Sequence, residues 1–371
     1  MTNYAGTRPE KIRKIENKFF QDLIIGKIKN NSDEYELKNA TESDDETENS
    51  KDASFENMIF QSILNQFSQT VRNNIEHQLA EPVYMLPNVG ITDVQVRLME
   101  ILQVGSPDIN RVSKQVELLS WLIEELENVV NGSSFQHKKT KNSDVKVTDL
   151  KLIMSYIGME KLKTLLPSLC AKNWLPKNDS SLALLRKKLW RYSSIMAATA
   201  GFMATKSKKN PIFFYISALL YALGISVIIS KSFTIFELTK EKWLESSKAF
   251  EDEAGEIHEA IVESEFPVEF IYEYVLDNAY ILNWQLIELV HFEGSQQSRL
   301  LKELYSVGNF NELSDDASVL ARASCFAKLL MLEESHRIRA DERELLCNYY
   351  YITEEDLAEL RKLSFNPFDF S

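Results

Sequence analysis

Five histidines and three cysteines are the scarce reactive side chains in this 371-residue chain. A helical metal site needs two ligands three or four positions apart, so that both face the same way. His77, His137, His258, His291 and His336 form no such pair. His258 stands near Glu253, Glu256 and Glu259, but the positions that would share its helix face are Ala254, Gly255, Ile261 and Val262. None of these binds metal, so His258 reads as a helical histidine hydrogen-bonded to a neighbour. Cys170, Cys325 and Cys347 are far apart, form no C-x-x-C, and read as buried thiols in a reducing compartment. No G-x-S-x-G elbow and no glycine-rich phosphate cradle can be written. The acid pairs Glu124-Glu125, Glu333-Glu334 and Glu354-Glu355 read as solvated helix surface or caps rather than acid/base dyads.

The net charge of −13 excludes general binding to nucleic acid, which requires a basic surface, and fits a dispersed cytoplasmic protein. The polar start MTNYAGTRPEKIRK has no apolar signal core. Glycine (11) and proline (9) make up about 5% of the chain, under half the usual share, which points to long helices.

Those helices follow from 3.6-residue periodicity. Residues 1–29 read as an N-terminal amphipathic helix, apolar at Ile12, Ile15, Phe19, Phe20, Leu23, Ile24 and Ile28. Between 8 and 29 it carries seven basic and three acidic residues. It can pack on its own domain with the basic face in water, or lie on an anionic membrane or a partner. Residues 30–56, with ten acids against two lysines, read as an acidic disordered linker. Helical periodicity returns near Phe55 and defines a domain over 57–365, with a tail at 366–371. Ser106-Pro107-Asp108 reads as a serine-capped helix start, opening a helix that runs towards Val130. Thr148-Asp149 opens LKLIMSYI, which Gly158 ends, and a short helix MEKLKTLL follows. Further helices are expected over 181–206, 235–263, 267–290, 296–306, 315–334, 340–349 and 354–363. No alternating strand is found, so the fold class is all-α.

Pro211–Ser230, PIFFYISALLYALGISVIIS, has no charge and is long enough to span a bilayer. A helix apolar on every side is also what a central core helix looks like. The core reading fits better, because a lone span would split one helical array across a membrane.

Taken in order, several short motifs over roughly 80–365 resemble the HDOD ("HD-related output domain") family. They are Leu86-Pro87; the Asn131-Gly132-Ser133 turn; Ile153 to Leu162 around Gly158; Leu189-Trp190-Arg191-Tyr192-Ser193; Ala218 to Gly224; Gly255-Glu256-Ile257-His258; and Phe266-Pro267. The resemblance implies an HD-like multi-helical array. In true HD phosphohydrolases, His and Asp side chains hold divalent metal that activates water. At the matching places this chain has Tyr192, the pair Tyr221-Ala222, and Asp277-Asn278.

The resemblance and these departures imply a non-catalytic regulatory module in bacterial signalling, with no metal or other cofactor and with a protein partner. On this reading the slot is packed as ordinary core, with Tyr221 facing Tyr192. Two alternatives stay open: a phosphohydrolase with a rebuilt site around His258, and a membrane-attached regulator using residues 8–29 or 211–230.

Overall fold

A computed structural model describes residues 8–26, 49–84, 90–132, 146–176, 182–247, 254–292 and 295–368. Among them there is no strand, and the fold is all-α. The linker expected over 30–56 is shorter than the composition suggested: helix α2 already starts at Asn49 and runs to Leu79. Once a long helix is nucleated, each added residue gains a backbone bond, so polar residues can extend it. Leu86-Pro87 lies outside the described residues.

Helix α1 (Glu10–Ile24) is not a separate unit. Its six large apolar side chains from Ile12 to Ile24 are buried in the same core as the rest of the chain. Helix α3 (Asp93–Leu102) carries a capping box from Thr92 and Gln95. The next start lies two residues later than the sequence motif indicates. Asp108, not Ser106, caps α4 (Ile109–Val116), accepting from the Asn110 amide. The expected run to Val130 is also broken, at Glu117–Leu119, before α5 (Ser120–Asn131).

The Asn131 amide reaches across to residue 147. It accepts from the Val147 N–H and donates to the Val147 carbonyl, each at 3.0 Å. This is how an asparagine at a turn can tie two segments like a small ladder. Asp149 caps α6 (Leu150–Ile157), which ends at Gly158 with φ of 80°, a conformation that favours glycine. Helix α7 (Met159–Asn173) is longer than MEKLKTLL and continues through Pro167. Burial of Leu165, Leu166, Leu169 and Cys170 outweighs the one backbone bond that proline forfeits.

The core is organised around α8 (Ala183–Lys206) and α9 (Pro211–Tyr221). Asn210 caps α9 and Pro211 opens it. Helix α9 packs on α7, α8, α12 (Val268–Ile287), α13 (Gln296–Ser306) and α14 (Asp315–Glu334). The uncharged stretch continues as α10 (Leu223–Ser247) after a break at Ala222. Helix α10 therefore starts earlier than the expected 235 and ends before α11 (Ala254–Glu263). Together α9 and α10 are long and apolar enough to cross a membrane, but 94% of their most apolar window is buried inside the protein.

The Asn283 side chain from α12 inserts at the Ala222 break. It accepts from the Gly224 amide and donates to the Tyr221 carbonyl, which satisfies backbone groups that the interrupted ladder would leave unpaired. A Cβ at Gly224 would lie 2.2 Å from the Ala279 carbonyl oxygen, so only glycine allows α12 this close.

Three polar members of the apolar stretch are bonded, whereas the Ser230 hydroxyl is buried without a partner. Tyr215 shares a 2.7 Å hydrogen bond with Ser168, Ser217 donates to the Phe213 carbonyl, and Ser226 donates to the Trp174 carbonyl. Helices α15 (Ala340–Tyr349) and α16 (Glu354–Leu360) complete the fold.

Candidate functional site

The slot beside Tyr192 and Tyr221 is not ordinary apolar core. It holds a buried charge cluster, and the N-terminal helix supplies its centre. Glu16 lies among Ile12, Ile15, Phe19 and Phe20 on the inward face of α1 and is only 5% exposed. Its carboxylate accepts from Arg8 Nη1 at 2.6 Å, Lys328 Nζ at 2.8 Å and Tyr350 Oη at 3.1 Å. Lys328, on α14, is 3% exposed, and its ammonium also lies 5.3 Å from the Phe20 ring centre.

Burial alone would push the Glu16 carboxyl up. The charges of Arg8 and Lys328 and their hydrogen bonds outweigh it and hold the group at about 2. Burial alone would lower Lys328, but Glu16 and the surrounding phenols keep it above its ordinary value. The pair is therefore ionised at neutral pH. A buried pair of this kind persists only where geometry and added hydrogen bonds repay the desolvation.

Four tyrosines enclose it. Tyr192 is fully buried on α8, shares a 2.9 Å hydrogen bond with Ser324 of α14, and packs on Phe19 at 4.9 Å. Tyr221, at the end of α9, packs on Tyr280 at 5.4 Å. Tyr350 reaches Glu16 directly. Burial raises the phenol of all four, which keeps them protonated. Tyr192 and Tyr221 line the same buried cluster, close enough for each to feel Lys328, and each takes a different partner. A cavity of about 20 Å³, room for one water, lies at the mouth between Arg8, Glu16, Tyr221, Ser324, Lys328 and Tyr350.

The expected pair on α12 is displaced by helical phase. Asp277 is exposed, and Asn278 is half-buried and bonds the Tyr274 carbonyl one turn back. Tyr280 and the buried Asn283 are the residues of this helix that turn towards Tyr221. Of the remaining positions, Ala222 offers no donor atom. His258 is exposed on α11, which packs against α2 and α10. Among the described residues no group of three or more His, Cys, Asp or Glu could hold a metal ion.

The HD metal therefore does not fit the residues present. Protonated phenols are poor ligands, and the ammonium of Lys328 beside Tyr192 and Tyr221 would repel a cation. The residues that build the cluster, Arg8, Glu16, Tyr280, Ser324, Lys328 and Tyr350, were not among the expected slot positions. One signal for them is readable: an acid inside the apolar stripe of α1, and a lone lysine inside the apolar run Ala327–Leu332 of α14.

An all-α array with a filled HD-type slot is the class that fold and site define. Residues 89–263 match the family model of the HDOD domain. The match spans α3 to α11, just under half of the chain and less than the 80–365 over which short motifs resemble the family. It includes Tyr192, Tyr221 and Ala222 and leaves out every charged member of the cluster. No curated protein matches the chain significantly, and no solved structure does.

Proposed function

We propose that the protein is a divergent, non-catalytic HDOD regulator of bacterial signal transduction that acts in the cytoplasm by binding a protein partner. The HDOD domain itself points to a signalling-associated family. The observation that carries the non-catalytic reading is the Glu16–Lys328 ion pair inside the slot. A charge pair that satisfies itself leaves neither ligands for a divalent ion nor room for a phosphate ester. The burial of α9–α10 supports a helical interaction module over a membrane-attached one, because that apolar surface is used within the fold.

Thermal denaturation with millimolar Mn²⁺, Mg²⁺ or Zn²⁺, paired with turnover of a chromogenic phosphodiester, tests the reading. A ligand that binds only the folded state raises the midpoint. The expected result is an unchanged midpoint and no turnover. Stoichiometric metal with turnover would overturn the proposal.

A further inference from the structure

The groove that holds α1 combines an apolar floor with inward-facing cations. Helices α8, α12, α14 and α15 pack against Ile12, Ile15, Phe19, Phe20 and Leu23. Lys328 from α14 meets Glu16. Lys188 from α8, at 3.0 Å, and Arg337, at 3.0 Å, both meet Asp22, which is 6% exposed. Lys328 and Lys188 face inward and would stand unpaired over an apolar surface without acidic partners, whereas Arg337, 43% exposed, stands at the rim. A groove of this kind demands an amphipathic helix with a carboxylate on each flank of its apolar stripe.

Three observations mark α1 as an occupant that can leave. It lies outside the HDOD segment 89–263. Its seam with α15 is open: a groove of about 430 Å³ separates Pro9–Ile12 from Leu345, Asn348 and Tyr349. Lys18 and Arg337, which pin its rim to Glu342 and from Arg337 to Asp22, are both more than 40% exposed and so are screened by salt.

We infer that this groove is an acceptor for an amphipathic helix of a partner protein bearing two carboxylates six positions apart, and that α1 occupies it as a competitor in cis. The inference rests on the partner-binding reading above and names the partner's chemistry. Because α1 is tethered, it competes at an effective concentration on the order of millimolar. A partner helix must exceed that, or α1 must be weakened.

A fluorescent peptide of residues 8–26 is the probe, titrated against the full-length chain and against full-length Glu16→Gln/Asp22→Asn. The expected result is that the double variant binds the peptide at least roughly ten-fold more tightly than the parent does. The same peptide carrying Glu16→Lys and Asp22→Lys should not compete. Equal binding by the two chains, no binding by either, or equal competition by the lysine peptide would overturn the inference. Hydrogen exchange on the unmodified chain guards against an unfolded variant. Amides of α1 should exchange faster than those of α9, and equal protection counts against the proposal. Concentration-dependent dimers of the parent that exchange α1 would replace the partner helix with a second copy and overturn it. None of these readouts measures turnover. A catalytic chain that passes them would sink only the non-catalytic reading, and an inactive chain that fails them would sink only this inference.

Discussion

Glu16 and Lys328 stand 312 positions apart in sequence and 2.8 Å apart in the fold. The pair joins the first described helix to the helix that also carries Ser324, and it lies beside Tyr192 and Tyr221. The chemistry of the slot therefore depends on residues from both ends of the chain.

Acid should weaken the protein through Glu16. Its carboxyl titrates near 4.5 when unfolded and about 2 when folded, so its contribution is complete above about pH 4.5 and is lost as pH falls towards 2. That shift corresponds to about 3 kcal/mol. Urea denaturation between pH 5 and pH 2 should show the parent losing stability faster than Glu16→Gln. Parallel curves would show that Glu16 is not held low.

Removing one partner should cost more than removing both. Glu16→Gln or Lys328→Met alone leaves a buried charge uncompensated, at about 3–5 kcal/mol. The double variant should be destabilised by much less than the sum, and a double-mutant cycle at pH 7 measures the difference. Additive losses would mean the two side chains do not interact.

Gly224→Ala should be destabilising despite the usual benefit of alanine in a helix. Its Cβ would meet the Ala279 carbonyl at 2.2 Å and the Asn283 amide oxygen at 2.9 Å. The forced separation of α10 from α12 should cost about 1–3 kcal/mol. Asn283→Leu should cost about as much for each backbone group it orphans at the Ala222 break, about 1–3 kcal/mol. Thermal unfolding of the two variants checks both values.

Tyr215→Phe should be milder, at about 1 kcal/mol. Ser168 loses the phenol but keeps its 2.7 Å bond to the Thr164 carbonyl. A loss several times larger in chemical denaturation would show that Tyr215 has a further role.

The helices were legible wherever one face differs from the other. Alternation of Ile12, Ile15, Phe19 and Leu23 with charged residues marks α1, and the absence of charge from 211 to 230 marks the centre of the core. Phase was lost where both faces are apolar. In Val268–Ile287 aromatic and aliphatic residues run all round, so spacing cannot say that Tyr280 and Asn283 face inward while Asp277 faces water. Ser106 and Asp108 are both competent caps, and only the neighbouring fold selects the second. The slot itself was half legible. Tyr192 and Tyr221 could be placed from short motifs, whereas Glu16 and Lys328 are matched by tertiary packing alone. No window of sequence contains both.

The seating of α1 also fixes an order of events during synthesis. Helix α1 precedes two of its docking surfaces, α14 and α15, by some three hundred residues of chain. Domains tend to fold from the N-terminus as they emerge, and here α1 completes its packing only late in that order. Its apolar stripe can meet α8 and α12 earlier, but its seat is complete only once α14 and α15 have been made. A chain that stops before Lys328 leaves Glu16 without its buried cation and α1 with only part of its seat.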